Sequence, residues 1–419
     1  MDKILVHGGR KLNGTVRISG SKNSALPILA AALLTRERCV IRGVPDLSDI
    51  HYMLTILSHL GCEVERASGT VSIKAEKIRT EAPYELVRKM RASVCVLGPL
   101  LGREHEACVS LPGGCVIGDR PIDLHLRGFE ALGAAVRVQG GNIKLFAPAM
   151  RGSTVNMRGT QGTTVLGTDN VMMAAVLADG ITEIYDAAEE PEVVDLANFL
   201  NSMGAKITGA GTSHLVIEGV QELHGTDYHV IPDRIEAGTM LVAGAIAGEK
   251  LTVDHVRPDH LGAIIDPLQQ AGFHLETTAK SVSISPNGAT KPLHLETSPY
   301  PGFPTDMQAQ MCALLVRAPG VSVITDHVFP QRFMHVAELT RMGAQIKLSH
   351  PTAVITGNGH LSGAPVMASD LRASAALLLA GLAADGITEI NRVYHIDRGY
   401  EHIDEKLNDV GAHIERVQA

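Results

Sequence analysis

The stretch Asp49-Ile-His-Tyr-Met-Leu-Thr-Ile-Leu-Ser-His-Leu-Gly61-Cys-Glu-Val64 decides the fold, because the chain repeats its pattern. Ile50, Met53, Leu54 and Leu57 recur at three- and four-residue spacing and predict a helix with one apolar face. Gly61 stands where that helix must end and the backbone must turn, the position at which glycine is favoured. The following Glu63-Val-Glu-Arg-Ala-Ser-Gly-Thr-Val-Ser-Ile73 reads as two alternating strands around a Ser-Gly turn.

The same helix–glycine–strand pattern returns at Leu124–Val136 around Gly133, Val194–Ile207 around Gly204, and Ala263–Leu275 around Gly272. It recurs at Val336–Ile346 around Gly343 and at His402–Ile414 around Gly411. The six glycines fall about 70 residues apart, the period of one supersecondary unit. Each unit also carries a second helix, apolar nearly all round and therefore expected in the interior: 25–34, 92–101, 170–178, 237–247, 307–315 and 371–383. The sixth unit stops at Gly411-Ala-His-Ile-Glu-Arg-Val-Gln-Ala419 with no return strand, whereas Lys3–His7 and Thr15–Ser19 are strand-like and precede the first full unit. The N-terminal segment is thus expected to close the C-terminal domain. Two three-unit lobes follow, 22–229 and 230–419 with 1–21, with the chain crossing at Gly20-Ser21 and at His229–Pro232. Two lobes joined twice can close on a substrate, which places the expected active site in the inter-domain cleft.

At 419 residues the chain can bury large cores, and these must be aliphatic, since there is no Trp and only seven Phe and seven Tyr. A net charge of −8 argues against a nucleic-acid binder, so anionic ligands would rely on a few local cations. The six cysteines show no metal spacing and read as reduced, the N-terminus lacks an apolar signal core, and no run approaches a membrane span. These features predict a soluble cytoplasmic protein without membrane contact.

Chemistry concentrates in a few places. Leu111-Pro-Gly-Gly-Cys115-Val-Ile-Gly-Asp-Arg120-Pro-Ile-Asp-Leu124 sets one thiol among glycines with a guanidinium five residues on. It reads either as a structural loop or as a mobile loop whose cation favours thiolate. Lys22, in Ser-Gly-Ser21-Lys22-Asn23, opens the first apolar helix; it is either a solvated surface lysine or a cation sharing an anion with free backbone N–H groups. Arg91 opens the second such helix in the same way. Asp306 and Asp370 open helices of the second lobe, as caps or, facing the cations, as a general base. Arg398 by itself is a charged turn. The 19 histidines form no HExxH pattern and no phosphate-binding glycine fingerprint is present, so neither metal nor organic cofactor is expected.

Together, Ser21-Lys22-Asn23, the Leu111–Asp123 block, Phe303-Pro-Thr-Asp306-Met-Gln-Ala-Gln310, Arg332-Phe-Met-His335 and Tyr394-His-Ile-Asp-Arg398-Gly-Tyr-Glu401 resemble the enolpyruvyl transferase family. Within it they are most similar to the UDP-N-acetylglucosamine 1-carboxyvinyltransferases, which open bacterial peptidoglycan synthesis. The likeness runs nearly end to end. It implies a two-domain inside-out α/β barrel of six βαβαββ units, three per domain. It also implies transfer of the enolpyruvyl group of phosphoenolpyruvate to the 3′-hydroxyl of UDP-N-acetylglucosamine, by addition and elimination, with release of phosphate. Carried over by position, Lys22, Arg120 and Arg398 would hold phosphoenolpyruvate. Cys115 would protonate its methylene carbon and could form a covalent adduct, with fosfomycin as an expected alkylating agent. Asp306 would take the hydroxyl proton. Asn23, Arg91, Pro121, Ile122, Asp123, Leu124, Thr163, Thr164, Val165, Val328, Arg332, Asp370 and Leu371 would line the sugar-nucleotide site and complete the cleft.

Two departures from the family pattern stand out. Asp119 adjoins Arg120 where a small or uncharged residue is usual, and would raise the Cys115 pKa if it faced the thiol. The loop Arg158-Gly-Thr-Gln-Gly-Thr163-Thr-Val-Leu-Gly-Thr168 replaces a Lys followed by Ser-Val-Gly-Ala-Thr, yet keeps donors suited to a pyrophosphate. The alternatives are a transferase resembling 5-enolpyruvylshikimate-3-phosphate synthase, sharing fold and phosphoenolpyruvate, or a catalytically silent sugar-nucleotide-binding paralogue.

Overall fold

Six four-stranded sheets of one topology organise the chain, as seen in a computed structural model that describes residues 2–111, 121–160 and 162–418. The described residues divide into two units: one runs to Ser19 and resumes at Pro232, the other lies between Gly20 and Ile231.

In the unit beginning at Gly20, the first sheet orders its strands Asp227–His229, Arg38–Arg42, Thr70–Lys74 and Glu63–Ala67. The outer strand runs parallel to its neighbour, and the next two pairings are antiparallel. The sheets built on Glu106–Ser110 and on Ile181–Tyr185 repeat this arrangement. In the other unit it recurs around Gly248–Asp254, Gly320–Asp326 and Ile387–Asn391.

Strand Lys3–His7 lies between Ile387–Asn391 and Ile414–Val417, the place that a return strand takes in the other five sheets. Its alternation explains the choice: Ile4 and Val6 are wholly buried while Lys3, Leu5 and His7 stay partly exposed. The leading strands are exchanged as well. Leu12–Arg17 precedes helix Lys22–Ala31 in sequence but pairs in parallel with Gly248–Asp254. Asp227–His229 precedes helix Arg234–Ala247 but pairs in parallel with Arg38–Arg42.

Each unit places its apolar helices inside and its sheets outside, the inside-out α/β fold. Nine of the ten residues of Lys22–Ala31 are buried, as are eleven of the thirteen of Leu371–Ala383. Close approach needs small residues at the contacts: a Cβ on Gly98 would lie 2.3 Å from the Asn170 carbonyl oxygen. The six repeat glycines all hold positive φ, from 96° at Gly133 to 108° at Gly411, which closes the amphipathic helices as expected.

Some boundaries differ from the sequence reading. The helix expected over 170–178 spans Val165–Ala175, because Thr164 caps it by accepting from the Gly167 N–H. The helix expected over 92–101 is a 3-10 segment, Arg91–Val96, running into Leu97–Glu104. That over 307–315 likewise divides into a 3-10 turn, Thr305–Met307, and helix Gln308–Leu315. Apolar periodicity finds a helical core but does not separate 3-10 from α winding at its first turn. Among the described residues, no helix is long and apolar enough to cross a membrane.

Candidate active site

Helix Lys22–Ala31 begins at Ser21, whose hydroxyl accepts from the Ser24 N–H and whose own N–H donates to the Ile231 carbonyl at 2.7 Å. Lys22, the first helical residue, is 8% exposed, which removes the reading of a solvated surface lysine. Its Nζ lies 3.2 Å from Asp49 Oδ2, in the first turn of helix Ser48–Leu60. A lysine here works against the helix dipole, and a buried carboxylate offsets that cost. Behind it, buried Asp195 accepts from the Ser24 hydroxyl and the Ile231 N–H, and from Tyr228 Oη at 2.6 Å. Burial raises the Asp195 carboxyl despite these bonds.

In the same unit, Asn170 joins three helical segments. It accepts from the Gly98 N–H at 2.8 Å and donates to the Val94 carbonyl at 3.1 Å and to His125 Nδ1 at 3.0 Å. Beside it, Asp169 is 1% exposed; burial, with Glu190 and Glu192 nearby, pushes its carboxyl well above the usual carboxylate range.

The other unit builds a second cluster around Asp306. Its carboxylate accepts from Arg332 Nη1 at 2.7 Å and from Arg372 Nη2 at 2.9 Å, and the side chain keeps 26% exposure. Burial would raise the Asp306 carboxyl, but the charges of Arg372 and Arg332 outweigh it and hold the group well below the usual carboxylate range. Burial likewise disfavours the Arg372 charge, and Asp306 more than restores it.

Arg372 lies over the Tyr400 ring, 5.3 Å from its centre. Tyr400 Oη sits 3.0 Å from Thr239 Oγ1 and accepts from Gln310 Nε2 at 3.1 Å, which also donates to the Asp306 carbonyl at 2.8 Å. On the opposite side Arg332 donates to Thr305 Oγ1 at 3.3 Å, and Thr305 donates to wholly buried Asp326 at 2.7 Å. Asp326 in turn accepts from the N–H groups of Val328 and Phe329 at 3.0 and 2.8 Å. His335, 1% exposed, is driven down to about 4 by burial and by Arg332, against the pull of Asp370, and is therefore neutral. The result is an anionic carboxylate held between two guanidinium groups, each of which is anchored in turn by Thr305 or the Tyr400 ring.

Comparison with known proteins shows the family. A family model described as EPSP synthase (3-phosphoshikimate 1-carboxyvinyltransferase) matches residues 6–407. The chain belongs to this enolpyruvyl transferase family. It is 57% identical over 420 residues to a protein of Akkermansia muciniphila named UDP-N-acetylglucosamine 1-carboxyvinyltransferase, covering 100% of this chain and 99% of that one. A protein of the same name from Methylacidiphilum infernorum is 57% identical over 417 residues, again covering 100% and 99%. Among solved structures, the enolpyruvyl transferase NikO from Streptomyces tendae superposes with a TM-score of 0.91 at 27% identity, over 100% of this chain and 99% of that one. EPSP synthase from Acinetobacter baumannii, at 16% identity and a TM-score of 0.76 over the whole of both chains, shares the fold.

The residues expected to serve this transferase distribute as follows. Cys115, Asp119 and Arg120 lie outside the described residues. Lys22, Asn23, Arg91, Pro121, Ile122, Asp123, Leu124, Thr163, Thr164 and Val165 lie in the unit beginning at Gly20; Asp306, Val328, Arg332, Asp370, Leu371 and Arg398 lie in the other. Several have structural employment. Leu124 is 8% exposed and packs in the core, the Thr164 hydroxyl caps its helix, and the Val328 N–H is engaged by Asp326. Arg398 ends the 3-10 segment Val393–Arg398, after which Gly399 packs on Leu371.

The two aspartates that read alike as caps part company. Asp370 does cap its helix, accepting from the N–H groups of Arg372 and Ala373 at 2.9 and 3.1 Å. Asp306 caps nothing: its short turn starts from Pro304, and its carboxylate is turned to the two arginines. Sequence reasoning assigned no role to Arg372, Asp49 or Asp326. Arg372 carried a signal, being the one charged residue in Leu371–Ala383; Asp49 and Asp326 carried none, since short polar residues near helix and strand ends are common.

Proposed function

We propose that this enzyme, a transferase, moves the enolpyruvyl group of phosphoenolpyruvate to the 3′-hydroxyl of UDP-N-acetylglucosamine and releases phosphate. The observation that carries this choice is the contrast in likeness. Full-length identity of 57% is to proteins named for the sugar nucleotide, against 16% to an EPSP synthase. The Asp306–Arg332–Arg372 cluster supports the same reading, because it gives the hydroxyl a fixed proton acceptor.

In this reading Lys22, Arg120 and Arg398 hold the phosphate and carboxylate of phosphoenolpyruvate, and local cations of this kind stabilise charge on departing phosphate. Cys115 delivers a proton to the methylene carbon while the sugar oxygen bonds to the adjacent carbon, and the hydroxyl proton passes to Asp306. Elimination then removes a proton from the new methyl group, breaks the carbon–oxygen bond to phosphate and regenerates the double bond. The low pKa of Asp306 is compatible with this step. A hydroxyl oxygen already bonding to carbon becomes strongly acidic, so a carboxylate needs position more than basicity. Asn23, Arg91, residues 121–124, Thr163, Val165, Val328 and Asp370 with Leu371 would line the sugar nucleotide.

The test is phosphate release from phosphoenolpyruvate with and without UDP-N-acetylglucosamine, in wild type, Cys115→Ala and Asp306→Asn. Release should require the sugar nucleotide and fall by about 10²–10⁴ in Asp306→Asn, the usual range for a lost general base. Release supported by shikimate 3-phosphate instead, or an Asp306→Asn variant as fast as wild type, would overturn the assignment.

A further inference from the structure

The sheet that joins the two ends of the chain carries polar residues the reaction does not use. His413 and Glu415 lie at and beside the start of strand Ile414–Val417, with Ile414 between them turned inward at 5% exposure. Opposite, Val6 pairs with Ile414 and Leu5 with Glu415, so His7 comes to stand across from His413 on the outer face. The His7 N–H donates to the His413 carbonyl at 2.9 Å, which holds the two residues abreast.

Their side chains converge. Nε2 of His7 and Nε2 of His413 each lie 3.1 Å from the same Oε1 of Glu415. The imidazole rings stack with centres 3.9 Å apart and planes within 9°. All three potential ligand atoms lie within 4.8 Å of one another, and among the described residues no other group of three or more His, Cys, Asp or Glu side chains does so.

We propose that His7, His413 and Glu415 form a zinc site that fastens the N-terminal strand to the C-terminal one. Zn–N and Zn–O bonds of about 2.0–2.2 Å place tetrahedral ligands about 3.4 Å apart, and two of the three separations are already near that figure. The third lies within 4.8 Å, and binding would splay the stacked rings, 27% and 45% exposed in their side chains, so that both nitrogens face one ion. Two imidazoles and one carboxylate suit Zn²⁺ better than the hard cations, which prefer oxygen alone. Each ring binds as neutral imidazole through Nε2 with its proton on Nδ1, and water completes the fourth position. A backbone hydrogen bond already braces the strands that carry the ligands, so ordering on binding is confined to the side chains. The site is independent of the proposed reaction and would act on the stability of the sheet.

The experiment uses the untagged full chain, stripped of metal with EDTA, beside His413→Asn and Glu415→Gln. Equilibrium dialysis against ZnCl₂ should give the wild type one more bound equivalent than either variant. Amide exchange in residues 3–7 and 414–417 should slow about tenfold when free zinc is ten times its dissociation constant, and the variants should lose this effect. Equal zinc stoichiometry in all three proteins, or exchange in the two strands unmoved by zinc, would overturn the proposal. Glu415→Gln preserves side-chain shape and keeps the comparison decisive if His413→Asn disturbs the strand.

Discussion

Replacing Arg372 by Met should loosen the unit that contains it, and the loss should depend on Asp306 and on pH. Arg372 is 2% exposed and donates to Asp306 Oδ2 at 2.9 Å. Breaking a buried ion pair from one side costs about 3–5 kcal/mol, because the remaining charge is left poorly compensated. Asp306 keeps Arg332 at 2.7 Å and 26% exposure, which places the expected cost at the low end, about 3 kcal/mol. In the double variant Arg372→Met/Asp306→Asn no carboxylate is stranded, so the two losses should fall short of adding, with a coupling of about 1–3 kcal/mol.

The sign of the pH effect follows from the depressed carboxyl. Asp306 titrates in the folded chain well below its ordinary value, so its stabilisation is complete above the unfolded pKa of about 4. It disappears only as pH falls through the lower folded pKa. The coupling should therefore be constant from pH 7 to pH 5 and shrink below pH 4. Amide exchange within helix Leu371–Ala383 reads the opening free energy of that unit without reference to the other. Additive losses at pH 7, or a coupling that fades between pH 7 and pH 5, would refute the reasoning.

Two further outcomes follow from the backbone. Gly343→Ala should destabilise by about 1–2 kcal/mol from left-handed strain alone, since φ is 97° there and nothing lies within 4 Å of the added Cβ; chemical denaturation of wild type and variant checks it. Thr164→Ala should cost about 1 kcal/mol of stability through loss of the cap on Val165–Ala175, with the KM for the sugar nucleotide moving less than in Thr163→Ala; steady-state kinetics on both variants separates cap from ligand contact.

The periodic parts of the fold were legible because they are local. Gly61 and its five counterparts mark helix ends by a backbone demand that few other residues meet, and all six hold the positive φ this requires. The apolar helices declared their burial by composition, and the missing sixth return strand pointed to Lys3–His7. Their first turns were less legible, since Arg91–Val96 and Thr305–Met307 wind as 3-10 segments without any change in apolar spacing.

The site was legible as a set of residue types and much less as a set of contacts. That Asp306 and Asp370 each open a helix is written in the chain; that one caps and the other is gripped by Arg332 and Arg372 is not. The same holds for Lys22, whose partner Asp49 lies one repeat element away, and for His7 and His413, which stand at opposite ends of the chain. Sequence by itself determined the repeat, the buried helices and the family resemblance, because these rest on spacing and composition within one unit. Only tertiary structure decided which charges pair and which carboxyls stay ionised, because those energies depend on distances and desolvation that residues acquire when remote segments are packed together.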